Sequence, residues 1–83
     1  MEVIFYTREK CQLCKEAKEV LKILQSDYDF ELIEKNIDDS DELTEKYGLM
    51  IPAIEMNKDI VQYGQIDYYT LSKRLQKKLI HHS

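Results

Sequence analysis

The chain opens on an almost unbroken apolar run and then changes rhythm. Glu2-Val3-Ile4-Phe5-Tyr6 carries its only charge at the first position, as in a short strand buried on both faces. From Leu13 the period lengthens. Leu13, Cys14, Ala17, Val20, Leu21 and Leu24 recur at helical spacing, with Lys15, Glu16, Lys18, Glu19 and Lys22 on the other side. That pattern predicts an amphipathic helix of about 13–15 residues. Phe30–Ile37 reads as a second strand, and its charged positions suit an exposed sheet edge. Asp39 with Glu42 three residues later resembles a capping box, opening a short helix through Tyr47. Gly48 follows where a helix C-terminus favours a left-handed residue.

Strand patterns then return. Ala53–Met56 and Ile60–Tyr63 flank Asn57-Lys58-Asp59, a short polar connection suited to a hairpin. Asp67 can cap a last helix, with Tyr68, Leu71, Leu75 and Leu79 on its apolar face. Lys73, Arg74, Lys77 and Lys78 lie toward its C-terminal end, where the helix dipole favours cations. The order is β-α-β-α-β-β-α in a single domain over residues 1–83, without linker, repeat or low-complexity segment. A right-handed crossover makes the first two strands parallel. The hairpin completes a four-stranded mixed sheet flanked by helices, an α/β architecture.

Composition narrows the setting. The chain is 43% hydrophobic and 34% charged, and uncharged runs such as Tyr47–Ile54 are far too short to span a bilayer. Met1 leads straight into the first strand without the basic, apolar and small-residue regions of a signal peptide. The expectation is a cytoplasmic protein without a membrane partner. The net charge of −4 is unevenly spread, because Asp27–Glu45 alone carries −8. We read that block as a solvated face with a charged edge strand. A nucleic-acid binder would show a basic stripe, which this balance does not favour.

Candidate chemistry enters at Cys11-Gln12-Leu13-Cys14, the only cysteines in the chain. A bridge between residues three apart closes almost no loop, so it would restrict the unfolded chain very little. In a cytosolic setting such a pair points to catalysis, redox sensing or metal binding before scaffolding. Cys11 falls where the first strand gives way to the helix. Unpaired amides and the dipole at that helix start stabilise an anion, and Arg8, Lys10 and Lys15 add positive charge. Such settings lower a cysteine pKa from ~8.5 into a range of ~3.5–7.5. Cys14 shares the apolar face with Ala17 and Leu21 and is expected to be the more buried thiol. That asymmetry is what disulfide exchange requires, in which one thiol attacks a disulfide and the other resolves the mixed disulfide.

Over nearly its whole length the sequence resembles the glutaredoxin family. Tyr6-Thr7-Arg8-Glu9-Lys10-Cys11-Gln12-Leu13-Cys14 is similar to that family's Tyr-Thr-Lys-x-x-Cys-x-x-Cys opening, with Arg8 at the lysine position. Met50-Ile51-Pro52 matches its Thr-Val-Pro. The Cys-x-Leu-Cys-x-x-Ala form, with Ile-Pro-Ala-Ile later, is especially similar to a bacterial glutaredoxin-like subgroup. The resemblance implies a thioredoxin-like fold, Cys11 as nucleophile, Cys14 as resolving thiol and a cis peptide before Pro52. It further implies that the Ile51 backbone pairs with substrate as an added strand. Arg8, Gln12 and Leu13 would border the substrate on one side, and Gly64, Gln65 and Ile66 on the other. Gly64 permits close backbone approach, and the amides of Gln65 and Ile66 could hold a carboxylate such as glutathione's. Tyr63 stands in place of one family glycine, Ile66 of one acid, Gln12 of a common proline and Leu13 of a common aromatic residue.

The expected activity is therefore that of a monomeric dithiol disulfide oxidoreductase acting on disulfide-containing proteins or small disulfides, with no bound cofactor or metal. Its electrons would come from glutathione, another low-molecular-weight thiol or a thioredoxin-reductase-type enzyme. Two alternatives stay open: a binding module that uses the Pro52 face without chemistry, and a zinc protein. Zinc needs four ligands, and His81-His82 at the end of the chain are the remaining candidates.

Overall fold

A computed structural model describes residues 1–79; His81 and His82 lie outside the described residues. Four strands and three helices follow in the order β1 (Glu2–Thr7), α1 (Gln12–Asp27), β2 (Glu31–Asn36), α2 (Asp41–Tyr47), β3 (Ala53–Met56), β4 (Asp59–Tyr63) and α3 (Tyr68–Leu79). The strands form one sheet in the order β2-β1-β3-β4. β1 pairs parallel with β2 from Glu2↔Glu31 to Thr7↔Asn36, and antiparallel with β3 from Val3↔Met56 to Tyr6↔Ala53. β2 is an edge, as its charges suggested, and β4 is the other. The hairpin turn is tighter than the polar connection implied. Met56 pairs with Asp59, and Asn57 and Lys58 take φ of 51° and 69°. Positive φ at both central residues is the requirement of a two-residue turn whose twist suits the strands it joins.

Strand alternation divides the core. Val3, Phe5, Ile54, Met56 and Val61 pack with Cys14, Ala17, Leu21 and Leu24 of α1 and Leu71 and Leu75 of α3. Leu21, Leu24, Leu71 and Leu75 are fully buried, and each contributes ~1.5–3 kcal/mol by leaving water. On the opposite face Tyr6 and Ala53 pack with Ile37 and with Tyr47 of α2. That face is covered only in part by the seven-residue α2, and Ile4 and Ile60 stay half-buried there.

Four local expectations change. Leu13 is 43% exposed: the buried stripe of α1 runs through Cys14, Ala17, Leu21 and Leu24, and Leu13 lies on its flank in the first turn. Tyr68 is also exposed, because it opens α3 and donates its hydroxyl to Asp27 Oδ2 at 2.7 Å. The cap of α2 is Ser40 rather than Asp39. The Asn36 side chain accepts from the Asp38 amide and starts a 3₁₀ turn over Ile37–Asp39, which leaves Ser40 Oγ to accept from the Leu43 amide. Gly48 closes α2 in right-handed geometry, φ −54°, so its need is space. A Cβ there would lie 2.5 Å from the Thr44 carbonyl oxygen.

Candidate redox site

Three chain segments converge at one end of the sheet because of the strand register. Tyr6 lies opposite Ala53, and Ala53 lies opposite Tyr63. The end of β1, the start of β3 and the end of β4 are therefore neighbours. The Cys11 turn leaves the first, Ile51–Pro52 enters the second, and Gly64 leaves the third. Sequence positions far apart thus share one edge of the molecule.

Cys11 is the N-cap of α1, in extended geometry with φ −116° and ψ 108°. Lys10 before it takes φ 57° and turns the chain from strand to helix. The Cys14 amide donates to Cys11 Sγ at 3.2 Å, and the Lys15 amide donates to the Cys11 carbonyl at 3.1 Å. An N-cap side chain normally offers oxygen to an unpaired helix-start amide; here sulfur takes that place for the Cys14 amide. No acid stands in the first turn of α1, so nothing there opposes negative charge on the sulfur. Cys11 and Cys14 are joined as a disulfide, with Cα atoms 5.2 Å apart. Cys14 is 3% exposed within the core, whereas Cys11 is half-buried at its border. The inequality expected of the two thiols is present in their burial.

Arg8 forms an ion pair with Asp38. Its Nε donates to both Asp38 carboxylate oxygens, at 3.0 and 3.2 Å, and its Nη2 lies 2.9 Å from Oδ1. The guanidinium is held in that fork by charge-assisted hydrogen bonds. Gln12 donates to Glu16 Oε2 at 3.3 Å and is exposed beside Leu13. These two residues form the outer surface between the cysteines.

Pro52 is fully buried, and the Ile51–Pro52 peptide is cis. Ile51 is half-buried, packed against the same core cluster as Cys11. The Gly64 amide donates to the Pro52 carbonyl at 2.8 Å, which ties the third segment to the second. Gly64 has φ 81°, a left-handed conformation open to glycine at little cost. Gln65 is exposed, but Ile66 is 7% exposed and belongs to the core. Beyond it Asp67 caps α3, accepting from the Thr70 amide at 2.8 Å and from Gln62 Nε2 at 3.0 Å. The Thr70 amide, and then Gln62, hold the Asp67 carboxyl below its ordinary value.

One cluster behind the site went unread in the sequence. Tyr6 and Tyr47 stack with ring centroids 4.0 Å apart, and both hydroxyls donate to Glu55 Oε1, at 2.9 and 3.4 Å. Burial, then the hydrogen bonds with Tyr47 and Glu55, push the Tyr6 phenol well above its ordinary value. The cluster braces the end of β1 against the loop that leads to Pro52. Its one sequence signal was Glu55, an acid inside the apolar run Ala53–Met56, since a half-buried carboxylate needs donors. Among the described residues no three His, Cys, Asp or Glu side chains are grouped to hold a metal ion. No described helix is long and apolar enough to cross a membrane.

A four-stranded mixed sheet with the Cys-x-x-Cys pair at the start of its first helix defines a thioredoxin-like fold with a redox-type site. The family follows from the sequence match: residues 2–79 fit the model of the glutaredoxin-like domain (DUF836), and the chain belongs to that family. Among solved structures it is similar to target protein XcR50 from X. campestris, at 26% identity and a TM-score of 0.76, over 89% of this chain and 95% of that one. It is similar also to protein Ne2328 from Nitrosomonas europaea, at 31% identity and a TM-score of 0.73, over 88% of each chain. Thioredoxin 1 from Thermosipho africanus shares the fold at 10% identity, with a TM-score of 0.61 over 95% of this chain and 99% of that one.

Proposed function

We propose that this protein is a dithiol oxidoreductase that reduces disulfides through Cys11 and Cys14. The observation that carries the proposal is the N-cap sulfur of Cys11, held by the Cys14 amide, beside a partner thiol buried in the core. The helix-start amide of Cys14 that meets this sulfur favours its thiolate. The Cys11 thiolate attacks one sulfur of a substrate disulfide; the S–Cys11 bond forms and the other substrate sulfur leaves as a thiolate that takes up a proton. Cys14 loses its proton and attacks Cys11 Sγ, which expels the second substrate thiolate and leaves the Cys11–Cys14 disulfide. Two electrons have passed to the substrate. Glutathione, another small thiol or a thioredoxin-reductase-type enzyme returns them.

Substrate is held by the surface around the pair. Ile51 lies just outside the β3 ladder, where its backbone is positioned to pair with an extended substrate segment. Gln12 and Leu13 border one side of that segment, and Gly64 and Gln65 the other. Arg8 and Ile66 support the site indirectly, one through Asp38 and the other through the core. We assign the protein to the cytoplasm, as a monomer acting on protein disulfides.

The experiment is reduction of a model disulfide by wild type, Cys11→Ser and Cys14→Ser, supplied in turn with glutathione and with thioredoxin reductase. The proposal expects turnover by wild type, none by Cys11→Ser, and a mixed disulfide trapped on Cys11 by Cys14→Ser. Absence of turnover with both reductants, together with a Cys11 that titrates as a free cysteine, refutes it.

A further inference from the structure

The strongest feature outside the redox site is a groove of about 510 Å³ between the edge strand β4 and α3. Ile60 and Val61 form its strand side, and Lys73, Arg74, Lys77 and Lys78 its helix side. Asp59 closes one end, paired with Lys78 at 2.8 Å. Four cations against one carboxylate give the groove a net charge of +3 in a chain of −4. The chain's negative charge lies in Asp27–Glu45, whereas this groove gathers four of its twelve Lys and Arg residues and is a centre of positive field.

Its strand wall is a sheet edge of low charge, interrupted by one register shift opposite Ile54 and Glu55. Proteins blunt such edges with lysine, proline or charge, as β2 does with Glu31, Glu34 and Lys35. β4 is Asp59-Ile60-Val61-Gln62-Tyr63, with one charge at its start. It pairs only with β3, so the backbone donors and acceptors on its outer side are without a strand among the described residues.

We infer that this groove binds an extended acidic peptide segment of a partner protein, which adds as a fifth strand to β4 and sets its carboxylates against Lys73, Arg74 and Lys77. The spacings agree. Lys73 and Lys77 stand four residues apart on α3, about 6 Å along the helix. Carboxylates at every second residue of a strand repeat at roughly 6.7 Å. A peptide meets both requirements of the groove, a backbone ladder and negative charge. A nucleic acid meets only the second. The contact needs neither cysteine and stands apart from the redox reading.

The test uses the full chain carrying Cys11→Ser and Cys14→Ser, so that disulfides between copies of the protein cannot form during the titration. The probe is a fluorescein-labelled peptide of about eight residues alternating glutamate and threonine, a strand long enough to cover β4. Fluorescence anisotropy is expected to show saturable binding that weakens as salt rises. Adding Lys73→Glu and Lys77→Glu, with folding checked by circular dichroism, weakens it at least about tenfold. One of the two frames of alternate N-methylation of the peptide, which keeps its charge but removes its ladder donors, also weakens it about tenfold. The inference is overturned by a lysine–threonine peptide that binds as well, or by N-methylated peptides that bind unchanged in both frames. Tighter binding of oligothymidylate, or no saturation by about 1 mM, overturns it as well.

Discussion

Replacing Tyr6 by phenylalanine tests the brace behind the redox site. The substitution keeps the ring that stacks on Tyr47 at 4.0 Å and removes only the hydroxyl that donates to Glu55 at 2.9 Å. Glu55 is then left with the 3.4 Å contact from Tyr47. Loss of a hydrogen bond to a charged group costs about 1.5–3 kcal/mol. A domain of 83 residues has a total stability of about 4–12 kcal/mol, so the variant should melt on the order of 10 °C lower. The pH dependence gives a second, independent magnitude. Below pH ~10 the phenol is neutral in both folded and unfolded chains. Above it the unfolded chain ionises, whereas burial and its hydrogen bonds hold the folded Tyr6 protonated. The unfolded state then binds fewer protons, and stability falls by up to about 1.4 kcal/mol per pH unit. At pH 11 the wild type has lost about 1.4 kcal/mol by this route. The variant has no phenol at that position to ionise, so its deficit against wild type should shrink by the same amount. Urea unfolding followed by far-ultraviolet circular dichroism at pH 7 and pH 11, on both proteins, reads the two quantities. A deficit under about 0.5 kcal/mol at pH 7, or one that stays constant to pH 11, refutes the brace.

Leu21→Ala should cost about 2–5 kcal/mol, because Leu21 is fully buried, whereas Leu13→Ala at its exposed site should leave the urea midpoint nearly unchanged while slowing disulfide reduction. Gly48→Ala forces a Cβ against the Thr44 carbonyl and should cost about 1–3 kcal/mol; Gly64→Ala meets no neighbour within 4 Å and should show only the smaller cost of a left-handed alanine, about 1–2 kcal/mol. The Asp67 cap predicts acid sensitivity. Its folded carboxyl titrates below the unfolded one, so its contribution is present above the unfolded value of ~3.9 and lost as pH falls through the folded one. Asp67→Asn should flatten the stability profile in that acid window, measured by thermal melts between pH 2 and 6, and an unchanged slope there counts against the cap.

The elements marked by a short apolar run or by one recurring period could be read from the sequence, since each needs only its own neighbours. β1, β3 and the body of α1 are of this kind, and so is the placing of Cys11 at a helix start with Cys14 on the buried stripe. Reading failed where a distant partner decides. Arg8 meets Asp38 only because β1 and β2 run parallel and end together. Tyr68 leaves the apolar face because Asp27, at the end of α1, accepts its hydroxyl. Ser40 displaces Asp39 as a cap because Asn36 first shapes a 3₁₀ turn. The Tyr6–Tyr47–Glu55 cluster draws on three elements at once, so no single window contains it.

The sheet order β2-β1-β3-β4 also governs what the chain looks like while it is being made. Synthesis delivers β1, α1 and β2 first, and these can assemble as a parallel pair with a helix across it. In that half-built molecule β1 is an edge. Val3–Tyr6 stays without its second neighbour until β3 emerges, roughly fifty residues later, which at ribosomal speeds is an interval of about 3–10 s. An apolar, unpaired strand is a template for other chains during that interval. The hairpin therefore does more than complete the fold: its arrival ends the time in which a nascent chain can pair with its neighbours on the polysome.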